Sequence, residues 1–384
     1  MKETIVQSLE GNYFINKRGI PKGCELCLLG TKAVLFLNGL CQKPQHCAWY
    51  CPLSQKRRNK DIAYINELQI TGPERIFTEI QKMDAKGLSI TGGEPLLSEN
   101  LHKTLKLIKL IKKRQGKSFH IHLYTNGIHF TQEIARNLYK TGLDEIRFHP
   151  PKNKWTNIAL ALQEGLHAGA EVPLIPAEPY ISELKKFVMY LDKIGAPFIN
   201  LNEFEYCFPN SSSLKKKGFL LEQGTIASVK GTKDAVLRLL TEMAPSTTLK
   251  LHFCSIRAKD YFQLKERYLR RAKHVKRPFE EITEEGLLLY AQIEGDREPM
   301  DELKKILLKD SGMPRKYVSL TENAMKLPYY IVLDNNFQKL LKPFKLQTFI
   351  IECLPFDEDE EIQHRHVTEK IPLALFKKEY EFSP

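Results

Sequence analysis

Three cysteines in one short loop are the residues of this 384-residue chain with the clearest capacity for chemistry. Cys41, Cys47 and Cys51 follow the apolar run 33–37 with the spacing C-x5-C-x3-C. Three thiolates without a fourth in the loop predict a metal centre with one open position. Iron–sulfur clusters are usually held by four cysteine thiolates, so a four-iron cluster held by three leaves one iron free to bind a substrate.

Zinc binding and disulfide formation are the alternative uses of these cysteines. Structural zinc takes four ligands, often from C-x2-C pairs, and His46 is a poor fourth ligand because it directly precedes Cys47. Disulfides are typical of secreted proteins, and the N-terminus lacks the charged and then apolar layout of a secretory signal. The spacing therefore favours an iron–sulfur cluster.

A second motif, Gly92-Gly93-Glu94-Pro95, follows a predicted strand at 87–91. The two glycines permit positive φ and the close approach of another backbone segment. The carboxylate of Glu94 can accept hydrogen bonds from an ammonium group. A Gly-Gly pair alone often marks only a turn, but its position one helix after a three-cysteine loop makes the combination specific.

Together the two motifs resemble the radical S-adenosylmethionine (SAM) superfamily, over residues 33–205. The usual cysteine spacing of that family is C-x3-C-x2-C, and both gaps are longer in this chain. The resemblance implies a [4Fe–4S] cluster whose open iron binds SAM through its amino and carboxylate groups. One electron from the reduced cluster would then cleave SAM to methionine and a 5′-deoxyadenosyl radical, which abstracts hydrogen from a substrate.

The same resemblance assigns individual residues to the two cofactors. The three cysteines would hold the cluster and act as the catalytic residues. The residues expected to bind SAM are Tyr50, Gly92, Gly93, Glu94, Thr125, Asn126, Arg147 and His149. Among them, Tyr50 would lie near the adenine, and the strand end at Glu94 would receive the amino group. The last four would contact the ribose or the carboxylate, for which the planar fork of Arg147 is well suited.

Six predicted strands alternate with amphipathic helices through the middle of the chain. The strands cover 33–37, 87–91, 119–124, 145–149, 171–175 and 198–202, and the helices cover 73–85, 98–114, 131–141, 155–168 and 181–194. Six such repeats predict an α/β fold with a parallel sheet and right-handed crossovers. They match the partial (β/α)6 TIM-like barrel of the radical SAM type, with the functional residues at the carboxyl ends of the strands.

The predicted domain organisation has four parts. They are an N-terminal segment with a C-x-x-C motif at 1–32, the partial barrel at 33–250, a basic helical segment at 251–277 and a small C-terminal α+β domain at 278–384. In the last part we expect strands at 287–293, 329–334 and 347–352 and a helix at 300–308.

The C-x-x-C motif consists of Cys24 and Cys27, next to Gly23. Such a turn points both sulfurs inward and supplies two metal ligands. Cys254 is the expected third ligand, and Cys207 or His252 would complete the set. The sequence thus predicts a second site for zinc or an auxiliary cluster, with two free thiols or a dithiol redox pair as the alternatives.

Composition bears on partners and location. The net charge of +12 suggests an acidic partner such as RNA, which the basic stretch 257–277 with its interleaved aromatic residues would contact. A solvated lysine-rich surface is the alternative. No apolar run reaches the length of a membrane span, so no membrane partner is expected. Thiolate-held clusters suit the reducing cytoplasm, which is the expected location.

We therefore expect a radical SAM enzyme of the oxidoreductase or transferase type, reduced by a donor such as a ferredoxin or flavodoxin. Residues 23–61 with the G-G-E strand resemble archaeal radical SAM proteins related to pyruvate formate-lyase activating enzymes. The expected substrate is RNA, a protein or a small metabolite. The alternative from a different class is a non-catalytic interaction protein that binds an iron–sulfur cluster or zinc.

Overall fold

A computed structural model describes residues 4–359 and 364–380 of the chain. The chain divides into two compact units, Met1–Gln81 with Ala85–Leu264, and Lys82–Asp84 with Lys265–Pro384. Among the helices in the described part, none has both the length and the apolar character needed to cross a membrane. The four-part division of the sequence stays a prediction, apart from the start of the basic helical segment.

The first unit is built on an eleven-stranded sheet. Its strands are β1 (Ile5–Gln7), β2 (Tyr13–Ile15), β3 (Lys32–Phe36), β4 (Tyr64–Ile65), β5 (Leu68–Gln69), β6 (Gly87–Thr91), β7 (His120–Thr125), β8 (Glu145–Phe148), β9 (His167–Leu174), β10 (Phe198–Glu203) and β11 (Lys250–Cys254). Its helices are α1 (Lys22–Leu28), α2 (Pro73–Lys82), α3 (Ser98–Gln115), α4 (Gln132–Thr141), α5 (Asn157–Gln163), α6 (Tyr180–Lys193), α7 (Ser211–Lys216) and α8 (Thr232–Met243).

Seven of these strands are parallel, in the order β3-β6-β7-β8-β9-β10-β11. Antiparallel strands extend both edges, β4 and β5 beside β3, and β2 and β1 beside β11. The sheet is a partial TIM-like barrel of the radical SAM type, which confirms the predicted fold class. Two connections matter for function: residues 37–63 after β3 form the cysteine loop, and residues 204–231 after β10 form the covering segment.

The basic helical segment was predicted to begin at residue 251, but Lys250–Cys254 form the seventh parallel strand, β11. The sequence Leu251-His252-Phe253-Cys254 alternates apolar and polar residues, which is the period of a strand and not of a helix. Pairing with β10 supplies the hydrogen bonds that a short strand cannot make by itself. The helical part of this segment begins at Ile256 and continues through a π-helical stretch, Ala258–Gln263.

The barrel strands alternate between an apolar and a polar face. The apolar face packs against the helices, so the polar face lines the interior of the barrel. The polar face carries His120, His122, Tyr124, Glu145, Arg147, Glu171, Asn200, Asn202 and His252. The strand register sets His122 opposite Glu145, and Tyr124 opposite Arg147. The sequence prediction located these strands but did not include this alternation.

Helix α4 shows why a helix begins and ends where the sequence predicts. The hydroxyl of Thr131 accepts a hydrogen bond from the Ile134 N–H, which satisfies one of the free donors of the first turn. Gly142 ends the helix in the left-handed region, at φ +86°. Between these signals Ala135 and Leu138 are buried with Ile134, on the stripe that faces the sheet.

The second unit is an α+β fold on a six-stranded sheet. Its strands are β12 (Glu281–Ile282), β13 (Leu288–Glu294), β14 (Ser319–Leu320), β15 (Ala324–Leu327), β16 (Gln347–Asp359) and β17 (His364–Pro372). Its helices are α9 (Leu264–Val275), α10 (Arg297–Lys309), α11 (Tyr329–Leu333), α12 (Asn335–Leu341) and α13 (Leu373–Glu379). The strand predicted at 329–334 is wrong, because Pro328 precedes a short helix there and Asp334 caps the next one.

A buried ion pair stabilises this second unit. Two guanidinium nitrogens of Arg365 donate to the carboxylate of Glu280 at 3.0 and 2.9 Å, and both side chains are buried. Arg365 also donates to the Val275 carbonyl, and the N–H of Arg277 donates to Glu280. All these bonds are needed because a buried charge without a partner is costly.

Replacement of Arg365 by leucine should therefore destabilise the protein. The variant leaves Glu280 buried with only Arg277, whose guanidinium is 3.6 Å away, as a charged partner, and we expect the free energy of unfolding to fall by about 3 kcal/mol. Urea denaturation followed by circular dichroism measures the change. Arg297→Leu is the matched control, since its pair with Asp301 is exposed and its loss should have little effect. Equal, small effects in both variants would contradict the role of the buried pair.

Candidate active site

The cysteine loop is joined to the G-G-E strand end by two backbone hydrogen bonds. Gly93 N–H donates to the Asn38 carbonyl and Glu94 N–H donates to the Leu40 carbonyl, each at 2.7 Å. A Cβ on Gly92 would lie 2.5 Å from the Asn38 oxygen, and one on Gly93 would lie 2.0 Å from the Leu40 oxygen. Both distances are too short for any side chain, so the two glycines permit the loop to lie directly on the strand end.

The Glu94 carboxylate is buried and already holds three protein donors. Its Oε1 accepts from Leu96 N–H and from the Thr125 hydroxyl, both at 2.8 Å, and its Oε2 accepts from Asn126 N–H at 2.7 Å. A carboxylate has about four acceptor positions, so one position on Oε2 is left for a further donor. Burial raises the pKa of Glu94 to about 7 in spite of these bonds.

Asn126 also connects this carboxylate to the first cysteine of the loop. Its side-chain amide donates to the Gln42 side-chain oxygen at 2.7 Å, and that oxygen lies 3.2 Å from the Cys41 sulfur. Burial and the charge of Glu94 raise the pKa of Cys41 to about 11. The first cysteine and the ends of β6 and β7 therefore form one hydrogen-bonded group.

A second connection ties the far side of the cysteine loop to the end of β8. The Tyr50 hydroxyl and His149 Nε2 are 2.8 Å apart, and the ring of His46 packs edge-on against His149 at 5.2 Å. Burial and the nearby His46 lower the pKa of His149 to about 3. At neutral pH His149 is therefore uncharged and orients Tyr50 through a hydrogen bond.

The three thiols of the loop lie within electrostatic reach of one another. The hydrogen bond between Cys47 and Cys51 raises the pKa of Cys47 and lowers the pKa of Cys51 to about 6, which Arg58 also favours. Within residues 4–359 and 364–380, no three His, Cys, Asp or Glu side chains are arranged to hold a metal ion. The donor set of three thiols fits an iron–sulfur cluster, in which each cysteine binds a different iron.

Arg147 contacts a different set of residues from the other predicted SAM ligands. It is buried in the barrel, where its Nε donates to Glu145 at 2.6 Å and its Nη1 donates to Glu171 at 2.5 Å. Two carboxylates thus neutralise it, whereas Thr125 and Asn126 bond to Glu94. Its role in binding SAM stays a prediction.

The C-x-x-C cysteines lie in α1, against the amino ends of the barrel strands. The N–H of Gly23 donates to Glu145 at 3.2 Å. Cys24, Cys27 and Cys254 are near enough for their charges to interact, and burial raises the pKa of all three thiols. They are not arranged as a three-ligand ion site in the described part of the chain, and the second metal stays a prediction.

Cys207, one of the two candidates to complete that set, contacts residues next to the cysteine loop. Its N–H donates to the Asn210 side-chain oxygen at 2.9 Å, and the amide nitrogen of Asn210 donates to the Tyr50 carbonyl at 3.0 Å. The charge of Cys51 contributes, after burial, to the raised pKa of Cys207. A fourth cysteine therefore lies beside the cysteine loop, which the spacing of the other three did not indicate.

Trp49, to which the sequence assigns no role, anchors the covering segment on the loop. Its ring stacks on Phe219 with centroids 6.0 Å apart and an interplanar angle of 16°. Phe204 packs edge-on against both Trp49 and Tyr50, and the Lys217 ammonium lies 4.8 Å from the Trp49 ring. These aromatic contacts cover one side of the cysteine loop.

Two arginines of the basic stretch predicted to contact RNA make contacts within the second unit. Arg271 is buried, donates to the Pro355 carbonyl and lies 4.1 Å over the Phe356 ring. Arg277 pairs with Asp357 at 2.9 Å. These two guanidinium groups are held by contacts inside the fold, and RNA contact stays a prediction.

Comparisons with known proteins decide the family. The sequence profile of the radical SAM superfamily matches residues 44–150, which include the last two loop cysteines and the G-G-E motif. The chain is also 32% identical to a protein of Methanocaldococcus jannaschii, over 98% of both chains. The chain belongs to the radical SAM superfamily. Membership implies a [4Fe–4S] cluster and SAM as the cofactors, and radical SAM proteins are enzymes.

Solved structures give further likenesses. Methylornithine synthase aligns with 58% of this chain and 70% of its own at 10% identity, with a TM-score of 0.37. Coproporphyrinogen III oxidase of Escherichia coli, a radical SAM enzyme, aligns with 67% of this chain and 80% of its own at 8% identity, with a TM-score of 0.31.

Replacement of Gly93 by alanine tests the backbone contact between the cysteine loop and the end of β6. The new Cβ would meet the Leu40 carbonyl at 2.0 Å, so the loop has to move. We expect a loss of about 1–3 kcal/mol in stability and a lower iron content after anaerobic reconstitution. Gly72→Ala is the control, because a Cβ there meets nothing within 4 Å. Wild-type iron content in Gly93→Ala would show that this backbone contact is not needed to hold the cysteine loop in place.

The raised pKa of Glu94 predicts that SAM binding depends on pH. Below a pH of about 7 the carboxyl keeps its proton and loses the charge that strengthens its hydrogen bond from the SAM amino group, so affinity should rise as the pH increases through that value. Thr125→Val removes a donor to the carboxylate and should move the midpoint upward. Anaerobic equilibrium dialysis with SAM across this range measures both effects, and a flat profile would show that Glu94 does not receive the amino group.

Proposed function

We propose that Cys41, Cys47 and Cys51 hold a [4Fe–4S] cluster and that the Gly92–Glu94 strand end receives the amino group of SAM. The cluster, when bound and reduced, supplies one-electron cleavage of SAM to methionine and a 5′-deoxyadenosyl radical. The observation that carries this proposal is the pair of backbone hydrogen bonds between the cysteine loop and the strand end. These bonds hold the cysteines and the Glu94 carboxylate side by side.

The protein residues bind, orient and shield. Glu94 offers its remaining acceptor position to an N–H of the SAM amino group, while Thr125 and Asn126 keep the carboxylate in place. Tyr50, oriented by His149, lies on the side of the loop where the adenine is expected. The covering segment packs on Trp49 and Tyr50 and shields that side from water.

A protein is the substrate class that we propose. The relative in M. jannaschii bears the provisional name glycyl-radical enzyme activating enzyme, and it matches this chain over nearly its full length. Hydrogen abstraction from a glycine of a partner enzyme would be the corresponding reaction. RNA is less well supported, since two arginines of the basic stretch are held by contacts within the fold. We place this chemistry in the reducing cytoplasm, with a one-electron carrier as the donor.

Cys47→Ala provides the direct test of the proposal. Anaerobically reconstituted wild-type protein should hold about four irons in the cysteine loop and release 5′-deoxyadenosine from SAM when reduced with dithionite. The variant should lose most of that iron and release no 5′-deoxyadenosine. Cys353→Ala is the matched control, because Cys353 is buried in the core of the second unit. Wild-type protein that binds only zinc and never cleaves SAM would refute the proposal.

A further inference from the structure

The covering segment exposes large apolar side chains beside the cysteine loop. Phe208 is 94% exposed, Ile226 68%, Leu220 61% and Leu221 45%. Scattered single exposed apolar residues are normal, but four in one short segment indicate a surface that another molecule covers.

Lysines accompany these apolar residues. The segment contains four lysines and two glutamates, namely Lys215, Lys216, Lys217, Lys230, Glu205 and Glu222. All four lysines are exposed, whereas the carboxylate of Glu222 accepts a hydrogen bond from the Gly231 N–H. Such a surface attracts a negatively charged partner and steers its approach.

The segment is connected directly to the protein around the last loop cysteine. Asn210 bridges Cys207 and the Tyr50 carbonyl, the residue before Cys51. Trp49 stacks on Phe219. A partner bound to this segment would be separated from the cysteine loop by little more than these side chains, and electron transfer becomes steeply faster as the distance shortens.

The two sides of the cysteine loop have different surroundings. Cys41 is linked through Gln42 and Asn126 to Glu94, which is expected to receive the amino group of SAM. The covering segment packs against Trp49 and Tyr50, next to the last loop cysteine. An electron carrier bound to the segment would therefore approach the loop beside that cysteine.

We propose that the covering segment is the docking surface for an acidic one-electron carrier protein. This inference rests on the proposed function, which requires an electron at the cluster. The reduced carrier gives up one electron and the cluster gains it, with no bond formed and no proton moved. The exposed apolar residues form the contact and the lysines select an acidic partner.

The test compares two electron sources for the reconstituted enzyme. Phe208→Ser and the double variant Lys215→Glu/Lys216→Glu should raise the KM for reduced flavodoxin or ferredoxin by about tenfold or more in the release of 5′-deoxyadenosine. The rate with dithionite, a small reductant that needs no docking, should not change. The matched control is Lys106→Glu/Lys109→Glu, which reverses two exposed charges on α3.

Three results would overturn the docking surface. They are loss of the dithionite rate in the variants, a wild-type KM of the variants for both carriers, and an equal loss of carrier affinity in the control. A defect seen only with a protein substrate would assign the surface to that substrate and so also overturn the proposal. Failure of the proposed function is distinct, because wild-type protein would then release no 5′-deoxyadenosine with dithionite.

Discussion

The candidate site depends on the contact of one backbone with another at Gly92 and Gly93. The cysteine loop has almost no regular secondary structure, so its path is set by the surface on which it lies. Two hydrogen bonds of 2.7 Å and the absence of two Cβ atoms hold that path against the end of β6. The cysteines, the Glu94 carboxylate and the ends of β7 and β8 are brought together only because this contact is made.

The sequence predicts those parts of the fold whose signals are local. Strand Gly87–Thr91 matches its predicted range, and helix Ser98–Gln115 ends within one residue of its predicted end, because periodicity and flanking glycines define them. Strand Lys250–Cys254 and helix Tyr329–Leu333 were missed, since short apolar runs suit either conformation and their neighbours decide. In β11 the pairing with β10 decides, and in α11 the flanking Pro328 and Asp334 do so.

The candidate site shows the same division between local and long-range information. Motif spacing identified the loop cysteines and Glu94, and adjacency to strand ends identified Thr125 and Asn126, which bond to that carboxylate. The partners of Arg147 depend on strand register and lie outside any motif. Glu145 and Arg147 are two residues apart and so share a strand face, which was a readable signal for their ion pair.

The polar interior of the barrel explains why helix α1 packs against the amino ends of the barrel strands. Buried charges are tolerated only when they are paired, and Arg147 is held between Glu145 and Glu171 for that reason. Gly23 of α1 completes the arrangement, since its N–H donates to Glu145 and a Cβ there would lie 2.4 Å from a His122 nitrogen. The charged network thus fills the amino-terminal side of the barrel and leaves the carboxyl ends of the strands, where the cysteine loop lies, as the side at which cofactors and partners can approach.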